Sequence, residues 1–171
     1  MNIVETIQII GKVIVVLRNV KTGEKKIIHG INIVTDKGDK YYAQSVCGEI
    51  PDDDFDGANS GLRLGSDNTP PKKSDNDVTT FLAESAQALD AGYPKTNDND
   101  LENSGKGVNI VSWRYSYGND EGNVNGIIEG AIVDDRINPS GALTHFLFDE
   151  MFGKSFIVTM EVFVNAVFNG I

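Results

Sequence analysis

From Phe156 to Phe168 the chain alternates along its whole length. Phe156, Val158, Met160, Val162, Val164, Ala166 and Phe168 share one parity, while Ile157, Thr159, Glu161, Phe163, Asn165 and Val167 share the other. A period of two predicts a long strand with one dry face. Ile127 to Val133 is apolar except for Glu129 and predicts a second strand. Near the N-terminus, Val13 to Leu17 is a continuous apolar run, as a strand covered on both faces would be. Lys21 to Glu24 reads as a turn in which Gly23 takes a positive φ. Lys25 to Thr35 then returns as the partner strand of a hairpin.

The pattern between these blocks is more broken. Asp36 to Lys40 introduces a short helix, about Tyr41 to Cys47, closed by Gly48. Its apolar side holds Tyr42, Ala43, Val46 and Cys47. Gly61 to Gly65 is a short strand, and the prolines after Ser66 make the following segment irregular. Ser74 and Asp77 stand at capping-box spacing. Val78, Phe81, Leu82, Ser85 and Leu89 then recur at helical spacing and predict a second helix, ending near Asp90 to Pro94. Lys95 to Gly107 is a polar loop. Val108 to Tyr117, Asn125 to Asp134 and Leu143 to Phe148 complete the strands, with turns at Asn119 to Asn123 and Ile137 to Gly141. The expectation is a mainly β chain: a single β-sandwich or jelly-roll-like domain over 1–171 with two short helices. Residues 1–10 read as an extended arm, apolar enough from Ile3 onward to add a strand to a neighbour.

Composition narrows the function classes. A chain of 171 residues fits one domain with a real core. The net charge of -10 argues against direct contact with nucleic acid, which needs a basic face. It suits solubility, or docking on a basic protein surface. The single cysteine, Cys47, rules out an intramolecular disulfide and a cysteine-based zinc site. Its place at a helix end predicts a buried, inert thiol, since neither His29 nor His145 stands in a nucleophile context. Met1 to Glu5 lacks a basic n-region, and no run reaches the roughly 18 apolar residues that span a bilayer. A chain made in a cytoplasm and soluble there, with no membrane partner, is expected.

Few residues suggest chemistry. Asp52, Asp54, Asp56 and Gly57 match the first half of an EF-hand loop, but the twelfth position is Arg63 instead of a bidentate glutamate. They are weak metal candidates, and an acidic docking loop is the default. Asn97 to Asp100 with Glu102 reads as a second exposed acidic loop. Glu129 must be paired, bonded to backbone groups, or at a position facing water, because burying it alone would cost several kcal/mol. Arg63, Arg114, Arg136 and Lys154 are the cations on offer. No second carboxylate or histidine is expected beside it to complete an acid–base pair. Trp113, Tyr115 and Tyr117 share one strand face, as a sugar-stacking platform or as ordinary core. The glycines lack phosphate-loop spacing. Neither a catalytic residue nor a cofactor is expected.

The order of segments resembles a broad group of small structural proteins of tailed bacteriophages. A hairpin leads through Gly30 to Gly38 into a short helix. A strand and Pro-rich turn follow, Gly61 to Pro71, and then a helix opened by Ser74-Asp75. Ile128 to Val133, a turn with Gly141, Leu143 to Phe148 and Lys154 before a last alternating strand close the chain. Each piece is short and degenerate, and the segment from Asp90 to Gly107 is longer and more polar than the group's pattern. The resemblance implies a non-enzymatic virion component of β-sandwich or jelly-roll-like fold, acting in many copies. Its first form is a capsid decoration or cement protein that bridges major capsid protein subunits, as a trimer or dimer. Its second is a tail, collar or fibre-attachment component. A third reading, of another class, is a carbohydrate-binding module using Trp113. Glu129, Lys154, Trp113, Tyr115 and Tyr117 are the interface candidates.

Overall fold

The computed structural model describes residues 7–97 and 109–170. They form a mainly β structure: β1 (Ile7–Asn19), β2 (Lys25–Val34), α1 (Asp36–Val46), β3 (Gly61–Gly65), β4 (Gln87–Ala88), β5 (Lys95–Thr96), β6 (Ile110–Tyr117), β7 (Ile127–Val133), β8 (Ala142–Phe152) and β9 (Val158–Gly170). The nine strands belong to one antiparallel sheet in the order β4-β3-β7-β8-β2-β1-β9-β6-β5. The mainly β character is as expected, and it takes the form of a single curled sheet whose inner face makes the core. Val13, Val15 and Leu17 of β1, Trp113, Tyr115 and Tyr117 of β6, and Met160, Val162 and Val164 of β9 all point into it.

The long hairpin forms where the pattern predicts it. Asn19 holds the turn by accepting from the amides of Lys21 (2.9 Å) and Thr22 (3.1 Å), and Gly23 takes a φ of 75°. Residues 7–10, expected in a free arm, instead pair with β9, Ile7 facing Gly170 and Ile10 facing Val167; residues 1–6 lie outside the described residues. The dry face of β9 is as expected from Met160 to Ala166, but Phe156 precedes the strand and is 70% exposed.

Helix α1 starts earlier than predicted because Thr35 caps it, its Oγ1 accepting from Gly38 N at 3.0 Å. Gly38 lets the helix lie against β8, since a Cβ there would stand 2.0 Å from the Leu143 carbonyl oxygen. Gly48, at φ 71°, ends it. Tyr41 and Tyr42 project into the core, where Tyr41 meets Phe55 edge-on at 5.4 Å and the Trp113 indole nitrogen donates to the Tyr42 hydroxyl at 3.1 Å.

The second predicted helix does not form; α1 is the one helix among the described residues. Phe81 bridges to Gly65, Leu82 N donates to the Leu64 carbonyl (3.0 Å), and Glu84 takes a φ of 71°. The reason lies in where the apolar residues go. Val78 and Phe81 join a small cluster with Ala131, Val133 and Ala142, whereas Leu82 and Leu89 pack on the main core. Consecutive residues serving opposite sides require extended backbone, and a helix would have put them all on one stripe.

The segment after Leu82 also forms the seam of the curl. Ser85 Oγ bonds both backbone groups of Leu64 at 3.1 Å, and Tyr117 donates to the Ser85 carbonyl at 2.7 Å. Asp90 accepts from Arg114 Nε (2.6 Å), Ser116 N (3.0 Å) and Ser116 Oγ (2.6 Å). Thus β3 and β6, far apart in the sheet order, are stitched together through one stretch of chain.

Candidate functional site

Between Gly65 and Phe81 the chain leaves the sheet and returns, forming a strap over β3, β7 and β8. Both ends are tied: Gly65 bridges Phe81, and Ser66 N donates to Thr80 O at 3.0 Å. Beneath it lies a group of buried titratable side chains. The strand register brings them together, because Ala131 faces both Arg63 of β3 and His145 of β8, and Glu129 faces Gly65. Glu129 is 0% exposed and His145 is 1% exposed.

His145 is held at both nitrogens. Nε2 is 2.9 Å from Glu129 Oε2 and Nδ1 is 2.7 Å from Asp75 Oδ2. A carboxylate at each nitrogen favours the imidazolium, the form that donates from both. Glu129 also accepts the backbone amides of Thr79 (2.9 Å), Thr80 (2.9 Å) and Asp67 (3.2 Å). Burial opposes its charge, but the His145 bond and these amides outweigh it and hold the carboxyl below its ordinary value. Burial likewise opposes charge on His145, and the two carboxylates overcome it, raising its pKa. Gly65 makes room for this: a Cβ there would lie 2.3 Å from Glu129 Oε1. Beside them, the Arg63 guanidinium lies 3.5 Å above the Phe81 ring and its Nε is 2.9 Å from Asp77 Oδ1, an ion-pair contact without hydrogen-bond geometry.

Glu129 is paired and bonded to backbone amides, as a carboxylate in that strand must be, but its partners correct the sequence expectation. Its partner is none of Arg63, Arg114, Arg136 or Lys154, and a histidine and a second carboxylate do stand beside it. Distance along the chain hid them. The usable signal was a lone carboxylate and a lone histidine in two consecutive apolar strands, which an antiparallel pair can bring face to face. Chemically the arrangement is a clamp. Both imidazole nitrogens are committed to carboxylates within the protein, which leaves the ring no free position from which to act as a base.

The other predicted site residues lie elsewhere. Trp113 (1% exposed), Tyr115 (0%) and Tyr117 (2%) line the core rather than a surface. This corrects the sugar-stacking alternative, which needs those rings open to solvent. Lys154 is also enclosed; its Nζ donates to Asn123 Oδ1 at 3.1 Å, and burial lowers its pKa against the pull of Glu121 and Asp120. Within the chain as it stands, Glu129, Lys154, Trp113, Tyr115 and Tyr117 therefore face inward. Cys47, expected buried, is exposed at the end of α1. The acidic loop runs alongside α1: Asp52 pairs with Lys40, Asp53 with Lys37 at 3.2 Å, and Asp56 approaches the Tyr41 hydroxyl. Asp52, Asp54 and Asp56 are not gathered into a metal cluster, and none is found among the described residues. The acidic residues of 98–102 lie outside the described residues.

Large apolar side chains are exposed at both ends of the β1–β2 hairpin. At the turn end these are Val20 (50%), Ile27, Met151, Phe156 (70%) and Ile157. Their elements adjoin, since Val20 N donates to Ile157 O at 2.8 Å and β2 neighbours β8. At the other end, a cleft of about 870 Å³ opens between α1 and the ends of β1, β2 and β9. No family model matches the chain, and neither a curated protein nor a solved structure matches it.

Proposed function

We propose that this chain is a non-enzymatic structural protein of a bacteriophage virion, docking in many copies on the major capsid protein as a decoration or cement protein. The observation that carries the docking part is the exposed apolar group at the turn end of the hairpin, Val20, Ile27, Met151, Phe156 and Ile157. Side chains of that size left in solvent mark an association surface. In contrast, the carboxylate–histidine pair of Glu129 and His145 is enclosed and committed to the strap. The assignment to a virion rests on the resemblance in segment order. Three of its pieces, Ser74-Asp75, Ile128 to Val133 and Leu143 to Phe148, supply the Asp75–Glu129–His145 clamp. The sandwich or jelly-roll that the resemblance implies would correspond here to the curled sheet. Repeated by symmetry, modest contacts of this kind would tie neighbouring shell subunits together through avidity, in dimeric or trimeric units.

Quantitative gel analysis of virions tests this reading. Hundreds of copies per particle are expected, with Phe156→Asp chains folding normally but failing to bind shells. A few copies per particle would replace decoration with a tail or collar position. Absence from purified virions would overturn the reading altogether.

A further inference from the structure

The cleft at the α1 end is built differently from the patch at the turn end. Its walls are Ile9, Ile10, Val34 and Phe168 with Val46 and Tyr42 of the helix. Its volume of about 870 Å³ is within the range of sites that enclose an organic ligand of roughly 300–1,000 Å³, and the mouth of a curled sheet is a common place for one. The lining includes a polar group that the fold leaves unsatisfied. Asn32 is 7% exposed, and its Oδ1 has no hydrogen-bond partner. Its amide lies over Gly11, where a Cβ would collide with Oδ1 at 0.7 Å. The chain therefore gives up a side chain on β1 to house an amide whose oxygen meets no donor in the protein. A buried carbonyl oxygen left unpaired costs on the order of 1–3 kcal/mol, and at the wall of a cleft a ligand donor can supply the missing bond. The charges at the rim, Asp39 and Lys73, pair with each other and leave the cleft without net charge.

We propose that this cleft binds a neutral amphiphile: an aliphatic body against the isoleucines, Val46 and Phe168, with a hydroxyl or amide head hydrogen-bonded to Asn32. A hydroxyl both donates and accepts, so it satisfies the Asn32 amide in either orientation. The inference is independent of the virion assignment. Binding also has an internal reporter, because Tyr42 of the cleft wall accepts from the sole tryptophan, Trp113.

The test is a titration of the full chain with monodecanoylglycerol below its aggregation concentration, followed by calorimetry and Trp113 emission. Methyl decanoate, with the same chain and no donor, is the control. One molecule per chain is expected, with an emission shift and at least tenfold preference over the control. Val46 is 82% exposed, so Val46→Asp leaves folding intact and weakens binding at least tenfold. Maleimide attached to Cys47, another lining residue, blocks the site. Asn32→Leu keeps the aliphatic affinity but removes the preference for the hydroxylated ligand. No saturable binding, or binding unaffected by both Val46→Asp and the Cys47 adduct, overturns the proposal.

Discussion

Glu129 and Lys154 are both single charges removed from water, yet the fold treats them in opposite ways. Glu129 receives three backbone amides and His145, and its pKa falls, which means that the charged form is favoured. Lys154 makes one hydrogen bond, to Asn123, and its pKa also falls, which for a lysine means that the charged form is disfavoured. Burial is common to both; the number of partners differs. A buried charge stabilises a fold only where its hydrogen-bonding capacity is filled, and otherwise it is a cost that packing elsewhere must offset.

Substitution at the clamp gives the largest expected difference. Glu129→Leu strands His145 against Asp75 and leaves three strap amides unbonded. It is expected to cost about 3–5 kcal/mol, read as a fall in the urea midpoint. His145→Leu removes the partner of a buried carboxylate and belongs in the same range. A loss under about 1 kcal/mol in either variant would mean that the strap is held by Val78, Phe81 and Arg63 instead.

A pH series separates the two groups of the clamp. The lowered Glu129 value contributes stability that is present above its ordinary value of 4.5 and lost as pH falls through the folded value. The raised His145 value contributes stability that is full below 6.5 and lost as pH rises through the folded value. The clamp is therefore strongest between about pH 4.5 and 6.5 and loosens on either side. Thermal melts of the wild type minus those of His145→Leu should isolate this profile, and a flat difference would contradict it.

Lys154→Met should have the smallest effect and the opposite sign. Methionine fills similar space without a charge to desolvate, so stability should be unchanged or rise by up to about 1 kcal/mol. A loss of more than about 2 kcal/mol would show that the Asn123 bond and the nearby Asp120 and Glu121 compensate burial after all.

The contrast also explains what could be read from the sequence. Alternation is a local signal, so the hairpin, β3, β7, β8 and the dry face of β9 were all legible as strands. The Trp113, Tyr115 and Tyr117 parity was legible too, though periodicity cannot tell core from platform. The helix expected after Ser74 failed because spacing records which residues are apolar but not which cluster each joins. Phe81 and Leu82 look like one stripe and serve two. The clamp was illegible for a related reason. Its members lie in a strap and two strands, 70 residues apart for Asp75 and His145, and it takes both the strand register and the path of the strap to bring them within 3 Å. Cys47 was misjudged because its neighbour Gly48 turns the chain outward, leaving the helix end in solvent.

The two outermost strands of the sheet, β4 and β5, are two residues long. A long free edge would offer its backbone amides and carbonyls as a template to any other extended chain. Among the described residues the two marginal strands are too short to recruit one. At high local concentration such margins guard against runaway fibre growth. Any contact between this chain and another is thereby left to side chains rather than to backbone pairing.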